Sequence, residues 1–213
     1  MRIKRFFTAL ALMAISTTAF AQSATDNYSL EIPKDNMLEI SGGHMLNTVF
    51  RFRTESEMRT AKSGGGATFG LTYSRKVIDW LWVGGGVNYM GLYNTYLSYA
   101  SGPQAERTCA SKIWSIPLFA RFDVMKWMYL KSGIAFDIQN NNAEGRWLSN
   151  QSGISLNAAL GFDFELTKSW HIGLETRAGL TSLAAFRIRE KDKYATHQRF
   201  FIFGETINLF YRF

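Results

Sequence analysis

The feature that most constrains this chain is the stretch from Ile154 to Leu166, where every second side chain is apolar. Ile154, Leu156, Ala158, Leu160, Phe162, Phe164 and Leu166 fall on one face, and Ser155, Asn157, Ala159, Gly161, Asp163 and Glu165 on the other. A period of two is the mark of a strand, whose successive side chains point to opposite faces. Strands of soluble sheets typically run about five or six residues. Crossing a bilayer at a tilt takes roughly 9–11. This stretch is long enough to cross.

The pattern recurs. Ile172, Leu174, Thr176, Ala178 and Leu180 oppose His171, Gly173, Glu175, Arg177 and Gly179. Met128, Leu130, Ser132, Ile134, Phe136 and Ile138 oppose Lys131, Gly133, Ala135 and Asp137, and Trp114 to Phe122 alternates in the same way. The alternation predicts eight strands, over residues 37–50, 66–76, 80–96, 111–124, 127–140, 153–166, 169–183 and 199–213.

The links between them alternate in length. Turns of a few residues fall near Val77–Asp79, Met125–Lys126 and Thr167–Lys168, whereas residues 51–65, 97–110, 141–152 and 184–198 are long and polar. The long links carry Glu55, Glu57, Arg59, Lys62, Arg187, Arg189, Glu190, Lys191, Asp192 and Lys193. Short turns on one side and long loops on the other are the signature of an outer-membrane barrel, with turns in the periplasm and loops outside the cell. The expectation is an all-β fold: an eight-stranded antiparallel up-and-down transmembrane β-barrel with both termini periplasmic. Bilayer hydrocarbon leaves unpaired backbone groups unsatisfied, so strands can cross only when closed into a ring.

Trp80 (with Trp82), Trp127 and Trp170 stand just after the three short turns. Indole rings settle at the headgroup level, so these four read as a periplasmic aromatic girdle. Phe50, Tyr93, Tyr96, Trp114, Phe201 and Phe203 would form the outer one. The plainer alternative has each Trp following a turn into a soluble core.

The amino-terminal end addresses the chain. Arg2, Lys4 and Arg5 precede an apolar stretch from Phe6 to Ile15 and an Ala19-Phe20-Ala21 cleavage site. This is the pattern of a secretory signal peptide over residues 1–21. Residues 22–36 then read as a periplasmic amino-terminal segment and 37–213 as the barrel. The signal holds three basic and no acidic residues, so the net charge of +7 falls to +4 on its removal. No basic run accompanies that charge, and a nucleic-acid partner is not expected. Aromatic residues make up 15% of the chain, Gly is abundant and Pro scarce at 3. No apolar run after Ala21 is long enough for a spanning helix.

The chain ends on Ile207, Leu209, Tyr211 and Phe213 at alternating positions, which resembles the assembly signal of outer-membrane proteins. With the signal peptide and the alternating loops, residues 37–213 resemble small OmpA/OmpX-type barrels, and most of all the PorT-like outer-membrane β-barrel grouping, in which a strand such as Ser115-Ile116-Pro117-Leu118 is common. The resemblance implies a cell outer membrane location in a Gram-negative bacterium. It also implies contact with outer-membrane lipid and lipopolysaccharide, and with the barrel-assembly machinery and periplasmic chaperones during biogenesis. Its motifs are architectural and name no activity.

The polar faces would line the lumen. Glu39, Arg121, Asp123, Lys131, Asp137, Asp163, Glu165, Glu175 and Arg177 project inward in this reading. An eight-stranded ring leaves just enough room for side chains, so they read as an ionic plug rather than a selectivity lining. Pro117 predicts a bulge, because it cannot donate to the ladder. Glu205 breaks the apolar phase of the last strand, which predicts a bulge near Gly204 or a place close to the rim. Gly42-Gly43-His44 makes the first strand the least regular.

Neither Gly64-Gly65-Gly66 nor Gly84-Gly85-Gly86 continues to a phosphate loop; a flexible loop tip and barrel curvature are the respective expectations. His44, His171 and His197 show no metal-ligand spacing, and Cys109 has no partner cysteine, so no metal or cofactor is expected. The expected role is non-enzymatic, structural or in surface interaction. A small ion or solute channel is the first alternative. The second is an outer-leaflet lipid-modifying enzyme built around His197 at the rim.

Overall fold

The computed structural model describes residues 34–53, 58–98, 105–142, 150–187 and 197–213. The expected signal peptide, most of the segment 22–36, Glu55, Glu57 and residues 189–193 lie outside these. Eight strands follow one another: β1 (Asn36–Arg53), β2 (Met58–Ile78), β3 (Leu81–Ser98), β4 (Ala105–Met125), β5 (Met128–Asn142), β6 (Gln151–Glu165), β7 (Trp170–Arg187) and β8 (His197–Arg212). Each pairs antiparallel with the next, and β8 returns to β1, so the sheet closes with no free edge. The closure reaches the final residue. The Asn36 amide donates to the Phe213 carbonyl at 3.1 Å, and the Phe213 amide donates back at 2.9 Å.

The barrel is sorted opposite to a soluble protein. Ile40, Phe69, Leu118 and Ile207 are 55%, 62%, 61% and 63% exposed on the outside, while Glu39, Arg121, Asp163 and Glu175 are buried within. Water on the outside would make this arrangement unfavourable, because apolar area left in water forgoes about 25 cal/mol per Å² of burial.

Three tight connections stand where expected, at Asp79-Trp80, Lys126-Trp127 and residues 166–169. At the other end the strands run further than the alternation predicts. β2 begins at Met58 rather than 66, and β4 at Ala105 rather than 111. Arg59, Lys62 and Arg187 therefore belong to strands, not loops. The reason is physical: past the apolar belt both faces meet water, so backbone pairing continues while the alternation that reveals it stops.

Three local expectations are corrected. Pro117 causes no bulge. The register on both its sides is continuous, and the β3–β4 ladder skips only the Gly86, Val87, Ile116 and Pro117 step, where the missing N–H falls. Near Gly204 there is no bulge either. Phe201, Phe203, Glu205, Ile207 and Leu209 all stand outward, so Glu205 sits in the middle of β8 rather than at the rim. The Gly64-Gly65-Gly66 triplet is strand, not loop tip, with Gly65 opposite Leu46 and Gly66 opposite Leu92. In β1, Gly43 is required by a close approach: a Cβ there would lie 2.0 Å from the Glu205 carbonyl oxygen.

Candidate functional site

The inward face of the barrel gathers its charged side chains into two layers. The lower layer, nearest the short turns, is organised by Asp163 on β6. Its Oδ2 accepts from Arg121 Nη2 on β4 at 2.5 Å and from Arg212 Nη2 on β8 at 2.6 Å, and His171 Nδ1 lies 2.8 Å from its Oδ1. Arg121 Nε also bonds Asp123 at 2.8 Å, and its guanidinium lies 3.8 Å from the centre of the Tyr129 ring. Met37, Trp82, Tyr129 and Phe210 pack around this group.

The layer above it is built from Glu39 on β1, Lys131 on β5, and Glu175 and Arg177 on β7. Lys131 Nζ bridges Glu39 at 3.0 Å and Glu175 at 2.8 Å. Arg177 Nε is paired with Glu175, and its Nη2 lies 3.5 Å from Glu39. Tyr129 donates its hydroxyl to Glu175 at 2.9 Å and accepts from Asn208 Nδ2 at 3.2 Å, which ties the two layers together. Inside a barrel such pairing is needed, since a charge buried without a partner costs several kcal/mol.

Asp137 differs. Its two carboxylate oxygens accept from Ser115 and Ser155, and no cation touches it among the described residues. The Ser182 amide donates to Ser155 at 3.0 Å, and Ser182 itself adopts a left-handed φ of 52° where β7 bulges against β6. Gln151 links Gln139 at 2.9 Å and Ser182 at 3.2 Å, which continues the polar network toward the loop end.

Part of the lumen is apolar, which the alternation did not reveal. Met45, Met90, Leu92, Ile113, Phe200 and Ile202 are buried together inside the loop-end half of the barrel. A cavity is lined both by Met45, Met90 and Ile202 and by Lys131, Glu175 and Arg177. The sequence signal was present: these residues lie in phase with the polar ones, as Ile113 does with Ser115. Arg212 was also missed, although it shares the inward phase of Asn208 and Phe210.

Of the residues expected in the interior, Glu39, Arg121, Asp123, Lys131, Asp163, Glu175 and Arg177 come together, and Asp137 stands apart from them. Glu165 does not join. It has the inward phase but is the last residue of β6, so it is exposed at the strand end. Trp82 is a second correction. It is 2% exposed and points inward, donating Nε1–H to Asp123 at 2.9 Å. Trp80, Trp127 and Trp170 stand outward at 51%, 48% and 44% exposure. Trp80 stacks on Phe122, Trp127 on Phe162, and Trp170 lies against Tyr211. At the other end Tyr93, Trp114, Phe201 and Phe203 are outward; the side chains of Phe50, Tyr96 and His197 lie outside the described residues. Ile207, Leu209 and Phe213 also face outward, with Tyr211 half-buried between Trp170 and Phe213.

No protein-family model matches this chain, and no curated protein matches it. Solved structures do. The outer membrane protein OprG from Pseudomonas aeruginosa superposes with a TM-score of 0.51 at 11% identity, over 84% of this chain and 96% of that one. The chain shares that fold. Neisserial surface protein A superposes at a TM-score of 0.46 and 10% identity, over 84% of this chain and 97% of that one. Ail, the attachment invasion locus protein of Yersinia pestis, solved with the heparin analogue sucrose octasulfate, does so at 0.46 and 11%, over 82% and 99%. At such identities the likeness concerns the fold and no activity.

Proposed function

We propose that this chain is an integral outer-membrane barrel of a Gram-negative cell, non-conducting and non-enzymatic, acting as a structural element or through its exposed loop end. The OmpA/OmpX-type, PorT-like grouping is part of the same reading and rests on the Ser115-Ile116-Pro117-Leu118 strand and the aromatic terminus. The inverted sorting supports the membrane location: the outer face is apolar between rings of Trp80, Trp127 and Trp170 at one end and Tyr93 and Trp114 at the other. The short turns and both ends of the chain then face the periplasm.

The observation that carries the non-conducting reading is the ionic layer across the lumen. Ion pairs among Glu39, Lys131, Glu175 and Arg177 span the barrel at one level, and toward the loop end the apolar cluster of Met45, Met90, Ile113 and Ile202 occupies the side formed by β1, β3, β4 and β8. A hydrated ion would have to break those pairs, which opposes conduction. For catalysis, His171 is held by Asp163 at the turn end, the wrong side for outer-leaflet lipid chemistry.

Planar-bilayer recording of the refolded mature protein tests this reading, with a flat baseline expected. Discrete steps that disappear on Glu175→Gln would favour a channel. Lipid A mass spectra with and without the protein address the enzymatic alternative; identical profiles are expected.

A further inference from the structure

The outer face carries one pair of residues that lipid does not explain. His44 on β1 and Glu205 on β8 are direct cross-strand partners, and both are exposed on the outside. Along the same face His44 lies between Gly42 and Leu46, with Ile40 beyond, and Glu205 lies between Phe203 and Ile207. Thr176 of β7 stands opposite Glu205 on its other side. The position is in the middle of both paired strands, within the apolar belt, where an ionisable group is costly unless it finds a partner.

The two do not satisfy each other. The His44 ring lies over Gly65 of β2, within 3.3 Å of where a Cβ would stand, and Glu205 makes no hydrogen bond or ion pair to any described residue. Beside the pair the surface is also low. Ala67 stands directly opposite His44 and is the low point, since the Phe69 ring lies over Gly42, the His44 ring over Gly65 and the Tyr89 ring over Gly91.

We propose that this face binds a second copy of the same chain, with His44 of each protomer against Glu205 of the other. The inference rests on the membrane reading above. The complementarity of an imidazole N–H donor and a carboxylate acceptor on one face selects the occupant. Two copies inserted in the same direction can be related only by a two-fold axis along the membrane normal, and such an interface is self-complementary. On strands tilted by about 40°, cross-strand neighbours differ in depth by roughly 3 Å, which side chains can span, so rotation about an axis at the β1–β8 seam brings His44 near the partner's Glu205 and Glu205 near the partner's His44. Both pairs form at once, with Leu46 of each protomer facing Phe203 of the other.

The test counts subunits of the refolded mature chain in phosphatidylcholine vesicles at low protein density, by stepwise photobleaching of an amino-terminal label. Two steps are expected for the wild-type chain. His44→Glu places like charges together and reduces the count to one, and adding Glu205→His to it exchanges the charges and restores two. Ala67→Trp adds a bulky ring beside the pair without touching either polar group and is expected to give one step, which keeps the inference testable where a charge variant fails to insert. A wild-type chain that inserts but bleaches in one step overturns this inference alone. One that does not insert removes the membrane reading with it. Two steps from either His44→Glu or Ala67→Trp would also overturn it.

Discussion

Arg121 and Asp163 stand on strands separated by β5, yet their side chains meet at 2.5 Å with each only 2% exposed. Arg212, from the far end of the chain, reaches the same carboxylate at 2.6 Å. One aspartate therefore joins β4, β6 and β8, and the lower half of the barrel is cross-braced through its centre rather than around its wall alone.

Asp163→Asn should be strongly destabilising. It leaves the buried Arg121 and the half-buried Arg212 beside a neutral amide, and removing one partner of a buried pair typically costs about 3–5 kcal/mol. Urea unfolding of the refolded protein in vesicles, followed by heat-modifiable gel mobility, measures the loss. Combining Asp163→Asn with Arg121→Met should cost less than the sum of the two single changes, because one of the two arginines left beside the neutral amide is then removed. A double variant worse than the sum of its singles would contradict the bracing role.

Tyr129→Phe isolates one hydrogen bond. The phenol donates to a buried carboxylate, Glu175, so a cost of roughly 1.5–3 kcal/mol is expected, typical of a bond to a charged group. The ring stays, and with it the stacking of Arg121, so the barrel should still form. A variant as stable as the parent would show that the link between the two ionic layers contributes nothing.

The tryptophans should divide into two spectroscopic classes. Single-Trp variants retaining Trp80, Trp127 or Trp170 are expected to be quenched by brominated lipid chains near the headgroups. The variant retaining Trp82 is expected to resist, because that indole is inside the barrel against Asp123. Equal quenching of all four would return Trp82 to the outer girdle.

Two glycines give a paired prediction. Gly43→Val has no space, since its Cβ would meet the β8 backbone at 2.0 Å, and closure of β1 on β8 should fail. Gly91→Val faces outward with nothing nearer than the Tyr89 hydroxyl at 3.4 Å, and it should fold. The readout for both is the yield of heat-modifiable species after refolding.

Much of this fold was legible before any coordinates. A period of two sorts each strand into two faces, and its repetition with short and long links is enough to count eight strands and order them in a ring. The inward phase also named most of the ionic lining, from Glu39 to Arg177. The alternation is a property of one strand at a time, and it is written only where the outer face and the lumen differ. It therefore fell silent where the strands leave the apolar belt, at Arg59 and Arg187. It also misled at Trp82, where a tight turn breaks the phase between two neighbouring indoles.

Alternation along each strand sets which residues face the lumen and which face outward. Which inward residue meets which was decided only by closure, because the stagger between strands sets the depth of every side chain and depth decides contact. Asp163 found Arg121 and Arg212 across the barrel, Asp137 was left to two serines, and His44 came to stand beside Glu205 on the outer face. No spacing along the chain encodes those meetings; they exist only once β8 has paired with β1.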